Sequence, residues 1–126
     1  MSELLDELIA RGDVATLLPR YKSGAEKDFS RIGLALMGSY CECEVAVMTY
    51  EPETFNVPGG RYTPDFRCIL ADGRIIFVEI KGSKLEKGYR DARAKLRAAA
   101  ALNPWYTWYE VICCQGAWNV ERIKSE

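Results

Sequence analysis

The 126-residue chain contains no histidine. That absence removes Ser-His and Cys-His nucleophilic pairs and every histidine-ligated metal, so any catalysis has to run on carboxylates, lysine and a hard cation. There is no Cys-x-x-Cys pair either. Cys41, Cys43, Cys68, Cys113 and Cys114 are odd in number and lie in apolar, strand-like stretches. They are expected to be reduced packing residues, not a zinc site or a disulfide framework. No run of about twenty apolar residues is present, and Met1-Ser2-Glu3-Leu4-Leu5-Asp6 is acidic where a signal peptide is basic. The expectation is an intracellular, cytoplasmic protein without a membrane partner. Internal repeats, linkers and low-complexity segments are missing, and no helix-turn-helix or zinc module is visible to read a DNA sequence.

A hydrophobic content of 48% argues against disorder and fits one α/β domain over residues 1–126. The net charge is only −1, but it is unevenly spread. Residues 1–58 hold 5 Lys/Arg against 10 Asp/Glu, residues 59–97 hold 10 against 5, and residues 98–126 hold 2 against 3. The middle segment is therefore +5 within an acidic whole, which makes a local basic surface the expectation there.

Ser2 can cap a short helix to about Ala10, and Gly12-Asp13 separates it from a turn near Val14–Leu18, so residues 1–22 read as a helical extension. Ser23-Gly24-Ala25-Glu26 has capping-box spacing, followed by Phe29, Ile32, Gly33, Leu36 and Met37 at helical intervals to about Gly38. Alternation from Cys41 to Met48 predicts a strand. Glu51 through Gly60 is rich in turn formers and reads as a loop. Phe66–Leu70 and Arg74–Ile80 flank Asp72-Gly73 and predict an antiparallel hairpin. Ser83-Lys84-Leu85-Glu86 again has capping-box spacing before a helix to about Leu102. A buried strand over Tyr106–Cys114 and a last strand over Trp118–Ile123 complete the chain. The strand, helix, strand order makes Arg74–Ile80 and Tyr106–Cys114 expected parallel neighbours.

The residues that carry chemistry lie in the hairpin. Tyr62-Thr63-Pro64-Asp65-Phe66 precedes Val78-Glu79-Ile80-Lys81-Gly82, with thirteen residues between Asp65 and Glu79. On a strand, Glu79 and Lys81 share one face while Ile80 takes the other. Burying an unpaired carboxylate is strongly unfavourable, so these acids need a partner of opposite charge, for which a divalent cation is the natural candidate.

The element order and the Pro-Asp, thirteen residues, Glu-x-Lys pattern resemble the PD-(D/E)XK nuclease superfamily, closest in motif to small phage-type endonucleases and junction-resolving enzymes. Similar stretches occur in nuclease subunits of transposition complexes. The specific resemblance covers roughly residues 50–83. It implies an α/β, restriction-endonuclease-like αβββαβ core over residues 23–126, with a mixed central sheet flanked by helices. It also implies a metal-dependent DNA endonuclease in which Asp65, Glu79 and the backbone carbonyl of Ile80 hold Mg²⁺ or Mn²⁺. Lys81 would then position or activate the attacking water, and Glu26 would supply an additional acidic residue.

Each of these has a plainer alternative. A Glu-x-Lys pair on a strand is most often solvated, and Glu26 can simply close a capping box. Lys84, Lys87, Arg90, Arg93 and Arg97 are candidate phosphate contacts, although a basic helix face is commonly just solvated. Trp105, Tyr106, Trp108 and Tyr109 read better as core or interface than as base-stacking residues. Two classes of function compete with a free-standing, junction-resolving homodimer. One is a non-catalytic DNA-binding or assembly module on the same fold. The other is a nuclease subunit of a larger transposition or restriction complex.

Overall fold

The computed structural model describes residues 21–82, 88–114 and 116–124. The expected helical arm up to residue 20, the capping box at Ser83–Glu86 and the candidate phosphate contacts Lys84 and Lys87 lie outside the described residues. Ser23 opens helix α1 (Gly24–Cys41) in an extended conformation, its side chain accepting from the Glu26 amide. The helix runs three residues beyond the expected stop. Glu42 takes the left-handed conformation at φ 53° and its N–H reaches the carbonyls of Gly38 and Ser39, which closes the helix end. Cys41 and Cys43 are therefore not on a strand, as their alternation suggested, and β1 is Val45–Tyr50.

The loop expected before Arg61 instead contains a short hairpin, β2 (Phe55–Val57) and β3 (Gly60–Tyr62). Pro58 presets φ and Gly59 takes φ 88°, which is the residue order a tight reversal asks for. Strands of three residues are too short to register as a period of two, which is why the sequence reading passes over them. Then come β4 (Phe66–Leu70), β5 (Ile75–Lys81), helix α2 (Tyr89–Leu102), β6 (Thr107–Cys114) and β7 (Ala117–Ile123).

β1, β4, β5, β6 and β7 lie side by side in one sheet, in that order. The β4–β5 hairpin is antiparallel and β5–β6 is parallel, as expected from the hairpin signal and the crossover helix. β1–β4 and β6–β7 are antiparallel, so the chain is α/β with a mixed five-stranded sheet. No helix among the described residues is long and apolar enough to cross a membrane.

The sheet has a core on each face. Ile76, Val78 and Ile80 pack with Phe29, Met37, Phe66, Cys68 and Val111 toward α1. Phe77 packs with Trp108, Tyr62, Leu96 and Ala99 toward α2, its ring stacked on Trp108 at 4.6 Å between centroids. Burying a side chain of this size contributes about 2 to 3 kcal/mol. Two-sided burial explains why β5 reads as a nearly continuous apolar run. Because Glu79 and Lys81 share the parity of Phe77, they fall on the α2 face.

Trp108 and Tyr109 are core residues, as expected, but Trp105 is not, with 69% of its surface exposed just beyond the end of α2. Ile32, expected on the buried stripe of α1, is instead on its rim. The described cysteines, Cys41, Cys43, Cys68 and Cys113, are free thiols.

Candidate active site

β4 begins one residue after Asp65, and its antiparallel register pairs Phe66 with Val78, which brings Asp65 beside Glu79. Asp65 takes the place of the missing ladder partner: its Oδ2 accepts from the Ile80 amide at 2.7 Å. In a strand, the N–H and C=O of one residue lie on the same edge, so the Ile80 carbonyl also opens toward Asp65. Glu79 accepts at Oε1 from the Tyr62 hydroxyl at 2.8 Å, and Lys81 Nζ lies 3.2 Å from its Oε2.

Glu26 enters from the first turn of α1. The Ser23-x-x-Glu26 spacing does cap the helix, since the Glu26 amide donates to Ser23 Oγ at 3.1 Å. The Glu26 carboxylate, however, turns inward. Oε1 accepts from the Tyr50 hydroxyl at 2.5 Å, and the side chain is buried. The capping reading of Glu26 is realised by both its backbone and its side chain, since Oε2 also accepts from the Ser23 hydroxyl at 3.3 Å, while Oε1 is held by Tyr50.

The electrostatics follow from crowding acids in a dry place. Burial pushes the Asp65 carboxyl up to about 8; the Glu79 and Glu26 charges add to this, against the opposing pull of the Ile80 amide and Lys81. Burial also raises Glu79, with Lys81 and the Tyr62 hydroxyl opposing it. Tyr62 itself is held well above the ordinary phenol range by burial and by the neighbouring Glu79 charge. Lys22, paired with Glu51 at 2.7 Å, also feels the charges of Glu26 and Asp65. Among the described residues, Glu26, Asp65 and Glu79 thus crowd together beside Lys81, with the Lys22–Glu51 ion pair close enough to feel them.

Crowded acids of this kind are a setting that a hard divalent cation can compensate, and the acidic donors here are all oxygens. Among the described residues, no three acidic or thiol side chains close into a cation cage. Mg²⁺ does not require one, because it binds through one or two carboxylates and completes its octahedron with water and substrate phosphate.

The basic residues divide. Arg93 is engaged by two carboxylates, with Nη1 on Glu110 and Nη2 on Glu121, each at 2.6 Å. Tyr89 also donates to Glu110, at 2.9 Å. Arg93 thus ties α2 to β6 and β7. Arg90 and Arg97 are exposed. Arg97 lines a cleft of about 290 Å³ along with Arg122 and Lys124, two cations the sequence reading did not single out.

Also missed were the roles of Tyr62, Tyr50 and Glu110. The available signal was a polar-tipped aromatic or an acid inside an apolar run, each of which needs a buried partner.

No family model matches the chain, and no curated protein matches it. Among solved structures, one described as "Crystal structure of SSO0001" is similar over 98% of this chain, at 20% identity and a TM-score of 0.39. This chain spans 61% of that protein's length. Likeness at that level carries no argument about fold or function.

Proposed function

We propose that this chain is a divalent-metal-dependent DNA endonuclease with the restriction-endonuclease-like fold. The observation that carries the reading is the convergence of Asp65, Glu79 and Lys81 at one end of the β4–β5 hairpin, with Glu26 facing them from α1. Asp65, Glu79 and the Ile80 carbonyl are the groups that would hold Mg²⁺ or Mn²⁺. When bound, the cation supplies compensation for charge developing on a phosphodiester as water attacks it. Lys81 is close enough to Glu79 to hold a water or a phosphate oxygen beside it. Glu26, fixed by Tyr50, adds negative charge that strengthens the demand for a cation.

DNA is the substrate class that fits a cleft where Arg97, Arg122 and Lys124 stand beside Glu121, an acid already paired with Arg93. Such a substrate implies a cytoplasmic setting. With no sequence-reading module apparent, the substrate is selected by structure, branched junctions first, and a homodimer carrying two sites suits a two-strand cut.

The test is cleavage of labelled four-way junction and matched linear duplex in Mg²⁺, Mn²⁺ or EDTA, comparing wild type with Glu79→Ala. Metal-dependent cutting that disappears in the variant supports the nuclease, and a preference for the junction makes it a resolving enzyme. Binding without cutting under every condition sinks the free-standing nuclease and leaves an assembly module or a partner-dependent subunit.

A further inference from the structure

Glu79 presents its two oxygens unequally. Oε1 receives the hydroxyl of Tyr62, whose ring is only 6% exposed and packs in the core that holds Phe77, Trp108 and Leu96. Oε2 faces Lys81, a half-buried ammonium on a flexible four-carbon stem. The β2–β3 hairpin is what carries Tyr62 to this place, since Tyr62 is the last residue of β3 and pairs with Phe55. Phe55 in turn sits edge-on to Phe77 and Trp108. The Tyr62 hydroxyl is thus presented to Oε1 from a ring fixed in the core, whereas Lys81 reaches Oε2 on a flexible stem.

Resting on the reading of Glu79 as a cation ligand, we propose that Tyr62 is a positioning residue that restricts Glu79 to one outward oxygen and so sets cation selectivity. A carboxylate offering one oxygen suits Mg²⁺ and Mn²⁺, small octahedral ions that take single oxygens and keep waters. Ca²⁺ takes 6–8 oxygens at longer distance and readily uses a carboxylate through both. Tyr62 therefore discriminates against Ca²⁺, and Lys81 serves as the replaceable counter-ion of Oε2.

The experiment is isothermal titration of the full chain with MnCl₂ and separately with CaCl₂, for wild type, Tyr62→Phe, Lys81→Met and Glu79→Ala. Tyr62→Phe keeps the ring and loses only the hydroxyl. It is expected to lower the ratio of Mn²⁺ to Ca²⁺ affinity about tenfold, the size of effect seen when a partner of a metal ligand is removed. Lys81→Met is expected to tighten both cations and leave their ratio unchanged.

An unchanged ratio in a Tyr62→Phe protein with wild-type circular dichroism overturns the proposal. A lowered ratio in Lys81→Met also overturns it, because selectivity would then come from Lys81, and this arm holds even if Tyr62→Phe fails to fold. Wild type that binds neither cation, or binds as Glu79→Ala does, removes the cation site and the proposal together. Glu79-dependent binding with an unaltered ratio in Tyr62→Phe removes the proposal alone.

Discussion

Glu79 and Glu110 are register partners on parallel strands β5 and β6, side by side on one face of the sheet, yet each is answered by a different cation. Lys81 comes from the same strand as Glu79, and Arg93 reaches Glu110 from α2. Two buried acids in adjacent positions are each costly, and each has its own cation to offset part of that cost. The row continues to Glu121 on β7, so that Arg93 spans two carboxylates and pins the helix over the sheet.

This arrangement makes Arg93 a stability residue. Glu110 is 1% exposed and one of its oxygens, Oε2, has no hydrogen-bond partner among the described residues, so removing Arg93 leaves a buried charge with little beyond the Tyr89 hydroxyl to answer it. Arg93→Met is expected to destabilise the protein by about 3 kcal/mol in urea unfolding. Glu121→Ala, at a side chain 50% exposed, is expected to lose less than about 1 kcal/mol. Equal losses in the two variants would show that Glu110 is not the group that needs Arg93.

The Asp65 carboxyl ties stability to pH. Its value of about 8 in the folded chain lies above the ordinary 3.8, so between those values the folded state binds more protons than the unfolded one. Without a divalent cation, the contribution of this group to stability is full below about 4 and is lost as pH rises toward about 8. MgCl₂ is expected to raise the melting temperature more at pH 8 than at pH 5, because it competes with that proton. A larger gain at pH 5 would contradict the assignment.

Gly33 is required for its size. A Cβ there would stand 2.6 Å from a Phe29 ring carbon and 3.0 Å from the Met48 sulfur. Gly33→Ala recovers about 1 kcal/mol of helix propensity, but overpacking costs about 1–3 kcal/mol. Chemical denaturation is expected to show a net loss of about 1 kcal/mol, and a more stable variant would show that α1 can move away from Phe29.

Thiol labelling should sort the cysteines. Cys68 is fully buried, and burial pushes its thiol up to about 12. Cys41, Cys43 and Cys113 are half-buried. Under native conditions at pH 8, mass spectrometry after alkylation is expected to find Cys68 unmodified while the others react. Early modification of Cys68 would mean that the α1-side core opens easily.

Much of this was legible along the chain because it depends on local pattern. Asp72-Gly73 between two β-branched runs leads to the β4–β5 hairpin, and the strand, helix, strand order that follows puts β6 parallel to β5. The Pro-Asp and Glu-x-Lys residues could be singled out because charges inside an apolar run are costly. Less visible were features whose partners are far apart in the chain. Ser23-x-x-Glu26 looks like a cap, and only the fold brings Tyr50 to the Glu26 carboxylate. Arg93 looks like one more cation on a basic ridge until β6 and β7 bring Glu110 and Glu121 beneath it.

The amino-acid order was enough to determine which chemistry is available, carboxylate and lysine without histidine, and that Glu79 and Lys81 share a face, because strand periodicity is a property of adjacent residues. Which acids are compensated, which oxygen of Glu79 is held by Tyr62 and which is left to Lys81, and which arginine is spent on the core were decided only in three dimensions. Burial and charge pairing depend on what lies across the sheet, and no local period encodes that.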